Sequence, residues 1–115
     1  PGLPETIAGF LERENDDMAV TTARSGLQAV TALEEESFDC IVSDYQMPAL
    51  SGLDFLTAVR EDHPDLPFIV FTARGSETVA SQAIVTGVTD YVQKGPDLET
   101  YEELAERIHW AVSRR

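Results

Sequence analysis

The hydrophobic and polar positions of this chain fall into alternating blocks with two different spacings. Apolar periodicity, capping residues and a helix-ending glycine predict helices near residues 3–13, 25–36, 51–62 and 76–86, and from 97 onward. Short apolar runs between them predict strands at residues 18–23, 38–44, 66–73 and 88–93. Strands and helices therefore alternate along the whole chain.

This alternation favours one architecture. The runs at 38–44 and 66–73 are almost continuously apolar, as expected of strands that are covered on both faces in a parallel sheet. Strand–helix alternation with right-handed crossovers predicts an α/β fold with a doubly wound parallel sheet. Neither a repeat nor a linker interrupts the sequence, so we interpret residues 1–115 as one domain.

Polar residues follow three of the predicted strands at the point where each strand ends. They are Asp44, Thr72 and Lys94. Ligands of open parallel sheets bind outside the carboxyl ends of the strands, so we expect these side chains to converge there. A carboxylate is a nucleophile or a metal ligand, a hydroxyl donates to anionic oxygens, and an ammonium group suits phosphate.

Composition narrows the classes of function. The 115 residues include 21 Asp or Glu and 8 Lys or Arg, for a net charge of -13, which argues against binding to nucleic acid or to a membrane surface. No apolar run approaches the roughly 20 residues of a membrane span. A single cysteine, Cys40, excludes an internal disulfide and favours a cytoplasmic location. Lys94 is the sole lysine, and this acidic, lysine-poor composition resembles that of proteins from salt-loving archaea.

Three segments carry a resemblance to a known family. FDCIVSDYQMPALSGLDFL surrounds Asp44, VFTARG surrounds Thr72, and GVTDYVQKGP surrounds Lys94. In this order and spacing they resemble the receiver domain of two-component response regulators. The resemblance implies a flavodoxin-like sheet with strand order 2-1-3-4-5.

The resemblance also implies roles for individual residues. Asp44 would be the phosphoacceptor, which takes a phosphoryl group from the histidine of a sensor kinase or a phosphotransfer protein. Thr72 and Lys94 would bind the phosphoryl oxygens. Tyr91 would be an aromatic switch whose ring turns inward when Thr72 moves toward the phosphate. Such a domain is a signalling module rather than an enzyme, although it assists its own phosphorylation and dephosphorylation.

Magnesium is the cofactor that the resemblance implies. Asp44 and the backbone carbonyl of Gln46 would be two of its ligands, and an acid pair at the end of a first strand would supply the rest. Gln46 and Arg74 stand at the positions that tune phosphoryl lifetime in the family. Their effect on this chain does not follow from the sequence.

The first strand of the family pattern is absent from the chain, which opens at Pro1 within the loop that would follow that strand. In the order 2-1-3-4-5 the absent strand is the central one. We therefore expect the receiver domain to be incomplete at its N-terminus and the natural protein to continue upstream by about one strand of 5 to 8 residues. The implied partners are a downstream output domain or a second copy bound through the fourth helix, the last strand and the last helix.

Two other classes of function share this fold. One is an interaction module that no longer takes phosphate, which a true absence of the acid pair would favour. The other is an enzyme or flavin carrier, which has little support. A hydrolase of this type would want a second acid at Gln46, and no phosphate-binding loop of a flavin carrier is visible.

Overall fold

The order of helices and strands follows the sequence pattern closely. A computed structural model of the chain describes residues 3–15, 18–22, 26–43, 52–72, 81, 84–85, 87–93 and 99–114. The described helices are α1 (Leu3–Glu14), α2 (Gly26–Glu35), α3 (Gly52–Asp62) and α4 (Glu99–Ser113), and the strands are β1 (Ile41–Ser43), β2 (Phe68–Thr72) and β3 (Asp90–Gln93). Residues 81 and 84–85 are helical too, and the rest of the helix predicted at 76–86 lies outside the described residues.

The described strands form a parallel sheet in the order β1-β2-β3. Val70 of β2 is paired with Tyr91 of β3, and Thr72 at the end of β2 is paired with Gln93. All five residues of β2 are buried, as expected for a central strand with neighbours on both sides. The predicted parallel sheet is confirmed.

Side chains of β2 point alternately into two apolar layers. Phe68 and Val70 pack with the side chains of α3, against which α2 residues also lie. Ile69 and Phe71 pack on the other face of the sheet, with residues from α1 and α4. Helices therefore cover both faces, which confirms the doubly wound α/β architecture. Full burial of a side chain such as Phe68 contributes about 1.5–3 kcal/mol.

Residues 18–22 differ from the sequence prediction, because the structure describes them without strand pairing. Two backbone amides of this segment donate hydrogen bonds to nearby groups. The Met18 amide donates to the carbonyl of Asn15 at 3.1 Å, and the Val20 amide donates to the carboxylate of Glu12 at 2.8 Å. Met18 and Val20 still pack against the apolar layer beneath α1 and α4. The apolar pattern therefore identified a segment that covers the core.

Gly87 ends the helical segment before β3, as predicted. Its φ angle is +111°, a backbone conformation that L side chains rarely adopt. The Gly87 amide donates to the carbonyl of Ile84 at 3.2 Å and closes the turn. The glycine lets the chain reverse into β3.

Candidate functional site

The carboxyl ends of the three strands lie at one edge of the sheet, which we call the carboxyl edge and define by Ser43, Thr72 and Gln93. These residues are the last of β1, β2 and β3, and the strands run parallel. Thr72 is only 1% exposed and Ser43 only 5%. Two small hydroxyl side chains are thus buried where open parallel sheets bind their ligands.

Thr72 and Tyr91 lie on the same face of the sheet. Tyr91 is paired with Val70, and side chains two residues apart on one strand share a face, so Thr72 stands one step beyond Tyr91 along the sheet. The Tyr91 ring packs against the apolar cluster formed mainly by α3 and β2. Thr72 and Tyr91, the two predicted switch residues, therefore share one face of the sheet.

The Tyr91 hydroxyl is buried and has no hydrogen-bond partner among the described residues. A buried hydroxyl without a partner is destabilising, typically by about 1–3 kcal/mol. Contacts of the ring with the α3 cluster offset that cost. The position of this side chain thus depends on packing.

Four predicted site residues lie outside the described residues. In the sequence, Asp44 follows Ser43 and Lys94 follows Gln93. Gln46 comes two residues after Asp44, and Arg74 comes two residues after Thr72. The structure describes the strand ends from which the chain enters these positions. Within the described part of the chain, no group of three or more His, Cys, Asp or Glu side chains could hold a metal ion.

The opposite edge of the sheet contains polar contacts that the sequence did not reveal. We call it the amino edge, and it comprises residues 87–90 with the side chains that contact them. The Arg60 guanidinium donates to the carbonyls of Gly87 at 2.9 Å, His63 at 2.9 Å and Leu66 at 2.7 Å. Burial lowers the pKa of Arg60 from its ordinary value, and the negative charge of Asp65 opposes this shift. The side chain stays charged at neutral pH.

A second arginine joins β3 to α4 at the amino edge. Arg107 donates to both carboxylate oxygens of Asp90, at 3.1 and 2.9 Å, and to Glu103 at 3.3 Å. The hydrogen bonds to Asp90, and then the charge of that carboxylate, raise the pKa of Arg107 above its ordinary value. The i, i+4 spacing of Glu103 and Arg107 is visible in the sequence. The contact with Asp90 has no such local signal.

Comparison with known proteins gives a consistent result. A family model described as the response regulator receiver domain matches residues 1–108. The response regulator protein PilR of Pseudomonas aeruginosa is 36% identical over 104 residues, which are 90% of this chain and 23% of PilR. The DNA-binding transcriptional regulator NtrC of Escherichia coli is 33% identical over 90 residues, 78% of this chain and 19% of NtrC. The chain thus spans less than a quarter of these two relatives.

Solved structures show the same fold. A response regulator receiver domain protein from Clostridium thermocellum is 29% identical, has a TM-score of 0.84, and is matched over 97% of this chain and 86% of its own. A DNA-binding response regulator of the LuxR family from Staphylococcus aureus is 25% identical, with a TM-score of 0.85 over 96% of this chain and 89% of its own. None of the helices in the described ranges is long and apolar enough to cross a membrane.

Proposed function

Because this chain belongs to the family of response regulator receiver domains, we propose that it takes a phosphoryl group on Asp44 from the histidine of a sensor kinase or phosphotransfer protein. One observation carries the proposal. Thr72 is buried at the carboxyl edge on the same face as Tyr91, and β2, which ends at Thr72, lies between the strands that lead to Asp44 and Lys94.

The reaction needs a nucleophile and stabilisation of phosphoryl charge. A lone pair of an Asp44 carboxylate oxygen attacks phosphorus, the O–P bond forms, and the N–P bond breaks with its electrons returning to the donor imidazole. The Thr72 hydroxyl donates to one phosphoryl oxygen, and the Lys94 ammonium neutralises developing charge. Phosphoryl transfer depends mainly on such positioning and electrostatics. Gln46 and Arg74, two residues beyond Asp44 and Thr72, influence how long the phosphoryl group survives.

Magnesium fits the type of donor that the chain provides. The Asp44 carboxylate and the Gln46 carbonyl are oxygen ligands, and Mg²⁺ commonly uses one or two carboxylates with phosphate oxygens while it keeps several waters. When bound, the ion neutralises phosphoryl charge.

Tyr91 conveys the state of the site to a partner surface. Its hydroxyl is buried without a partner among the described residues, so the cost of burial stands against the packing of the ring. A shift of Thr72 toward a phosphoryl group changes the space beside the ring, because both side chains share one face. The balance between inward and outward positions of Tyr91 then reports phosphorylation.

The output of the signal lies in other segments or other molecules. NtrC is described as a DNA-binding transcriptional regulator, and this chain covers 19% of it. We infer that the receiver acts on an output domain or on a second copy, through the surface formed by the helix predicted at residues 76–86, β3 and α4. The acidic receiver itself does not contact nucleic acid.

The experiment that tests this function is phosphorylation by a small donor. The chain is incubated with Mg²⁺ and acetyl phosphate, and intact mass is measured. We expect the gain of one phosphoryl group that is stable in acid and labile in base, and its loss in Asp44→Asn.

Asp39→Asn is the matched control, because Asp39 is an exposed acid just before the same strand, at its other end. This variant should take the phosphoryl group as the parent does. A parent chain that gains no phosphoryl group, even when extended upstream, would contradict the proposal and favour an interaction module with a receiver fold.

A further inference from the structure

The start of β3 is held from three directions. From β2, the Thr89 amide donates to the Phe68 carbonyl at 2.8 Å, and the Phe68 amide donates to the Thr89 hydroxyl at 3.0 Å. From α4, Arg107 forms an ion pair with Asp90 at 2.9 Å. From α3, Arg60 donates to the Gly87 carbonyl at 2.9 Å. Every layer around β3 thus contacts residues 87–90.

Arg60 alone connects two separate loops among these contacts. Its Nε binds the Gly87 carbonyl, while one terminal nitrogen binds the carbonyls of His63 and Leu66 in the connection from α3 to β2. A guanidinium is planar and presents its donors in a fixed geometry. The turn before β3 therefore has its position set relative to the start of β2.

The backbone of Gly87 allows this close approach. A Cβ atom at Gly87 would stand 3.4 Å from Arg60 Nε, and the residue has φ +111°. A side chain at this position would both strain the turn and crowd the guanidinium. The contact between Arg60 and Gly87 therefore depends on the glycine at this position.

Tyr91 follows directly after this fixed start. Its amide donates to the carboxylate of Asp90 at 2.8 Å, whereas its hydroxyl has no partner among the described residues. Two residues, Val88 and Thr89, separate Gly87 from the first residue of β3, and Thr89 is hydrogen-bonded to Phe68 of β2. A displacement of the turn at Gly87 is thus passed to the ring of Tyr91.

We propose that Arg60 is a positioning residue for the Tyr91 switch, because it fixes the start of β3 and thereby sets the balance between inward and outward positions of the ring. This inference rests on the proposed function, in which Tyr91 reports the state of Asp44. Arg60 is in α3 and contacts the carbonyl of Gly87, four positions before Tyr91. It acts from the edge of the sheet opposite to the phosphorylation site.

A fluorine label on Tyr91 tests this role directly. The chain is produced with 3-fluorotyrosine in a Tyr45→Phe/Tyr101→Phe background, which leaves Tyr91 as the reporter, and ¹⁹F NMR spectra are recorded with and without Mg²⁺ and beryllofluoride, a phosphoryl mimic. In Arg60→Gln we expect the ratio of the two ring positions to change about fivefold or more even without the mimic, within the usual range of coupling between sites.

Two variants separate positioning from general stability. Arg60→Lys keeps the charge and one donor but lacks the fork, so we expect an intermediate shift of the ring, and this variant also serves if Arg60→Gln does not fold. Arg13→Gln removes an exposed arginine in the last turn of α1, the helix on the other face of the sheet, and should leave the Tyr91 resonance unchanged.

The outcomes distinguish this inference from the proposed function. If Arg60→Gln lowers the urea midpoint but its Tyr91 resonance matches the parent with and without beryllofluoride, Arg60 is merely structural and the inference is wrong. If the parent shows no response to beryllofluoride while Arg60→Gln shifts the resonance, positioning stands and the phosphorylation switch fails.

Discussion

The polar groups at the two edges of the sheet differ in their contacts and in their burial. At the amino edge, Arg60, Thr89 and Asp90 bind partners within the chain, over distances of 2.7–3.1 Å to backbone carbonyls, an amide and a guanidinium. At the carboxyl edge, Thr72 is buried and the neighbouring Tyr91 hydroxyl lacks a partner among the described residues. The polar contacts at the amino edge join α3, β2, β3 and α4, and the hydroxyl side chains at the carboxyl edge are buried where the strands end.

Both edges belong to one sheet, so a cavity in an apolar layer that packs on this sheet gives the largest effect that we predict. Leu104 of α4 is fully buried against β2 and β3 residues. Leu104→Ala should lower the free energy of unfolding by about 2–5 kcal/mol, measured by urea denaturation followed by circular dichroism.

The exposed residue Ile84, at 69% exposure, provides the control, and Ile84→Ala should change the free energy of unfolding by less than about 0.5 kcal/mol. Hydrogen exchange of the Ile41 and Thr89 amides, which donate to the carbonyls of Pro67 and Phe68 around the start of β2, should accelerate together in Leu104→Ala. Acceleration of one amide alone would show that the sheet does not open as one unit.

Substitutions of two threonines, one at each edge, test the difference between the edges and should have effects of intermediate size. Thr72→Val removes the hydroxyl at the carboxyl edge and should slow phosphorylation by acetyl phosphate about tenfold or more, since a hydrogen bond to a charged group contributes about 1.5–3 kcal/mol. Thr89→Val removes the acceptor of the Phe68 amide and should lower the free energy of unfolding by about 1 kcal/mol. Its phosphorylation rate should stay within about twofold of the parent, because a group at the amino edge does not contact the phosphoryl oxygens.

Thr72→Ser, which keeps the hydroxyl, is the control for the first variant and should retain most of the phosphorylation rate. Equal slowing by Thr72→Val and Thr89→Val would contradict the division between the edges. It would mean that phosphorylation responds to the stability of the whole sheet.

Local pattern accounts for most of the fold. The continuous apolar run at 66–73 predicts a strand that is covered on both faces, and β2 occupies Phe68–Thr72 with every residue buried. The sequence predicts a strand at 18–23, whereas the structure describes residues 18–22 without strand pairing. Strand pairing and simple burial produce the same short apolar pattern. Here the amides of Met18 and Val20 bind nearby groups instead.

Part of the candidate site was also predictable from the sequence. Thr72 and Tyr91 stand at strand positions that the sequence pattern predicts, but the register that pairs Val70 with Tyr91 and so places them on one face comes from the structure. The roles of Asp44, Gln46, Arg74 and Lys94 stay predictions, since these residues lie outside the described ranges. The sequence does not predict the contact of Arg60 with Gly87, because the two residues are 27 positions apart. The acceptor is a backbone carbonyl, which every residue type has.

The smallest effect that we predict concerns the ion pair between α4 and β3. Arg107 is 45% exposed at its side chain and Asp90 is 16% exposed, so solvent screens much of their attraction. Arg107→Gln should lower the free energy of unfolding by about 0.2–1 kcal/mol at low salt, and the difference from the parent should shrink at 1 M NaCl, where the Debye length is about 3 Å. Glu103→Gln, which leaves the Asp90 contact in place, should cost less than Arg107→Gln. If Arg107→Gln instead lowered the free energy of unfolding by more than about 2 kcal/mol at both low and high salt, the prediction would be wrong. The contact of Arg107 with Asp90 would then stabilise the amino edge as a major interaction, as Arg60 does.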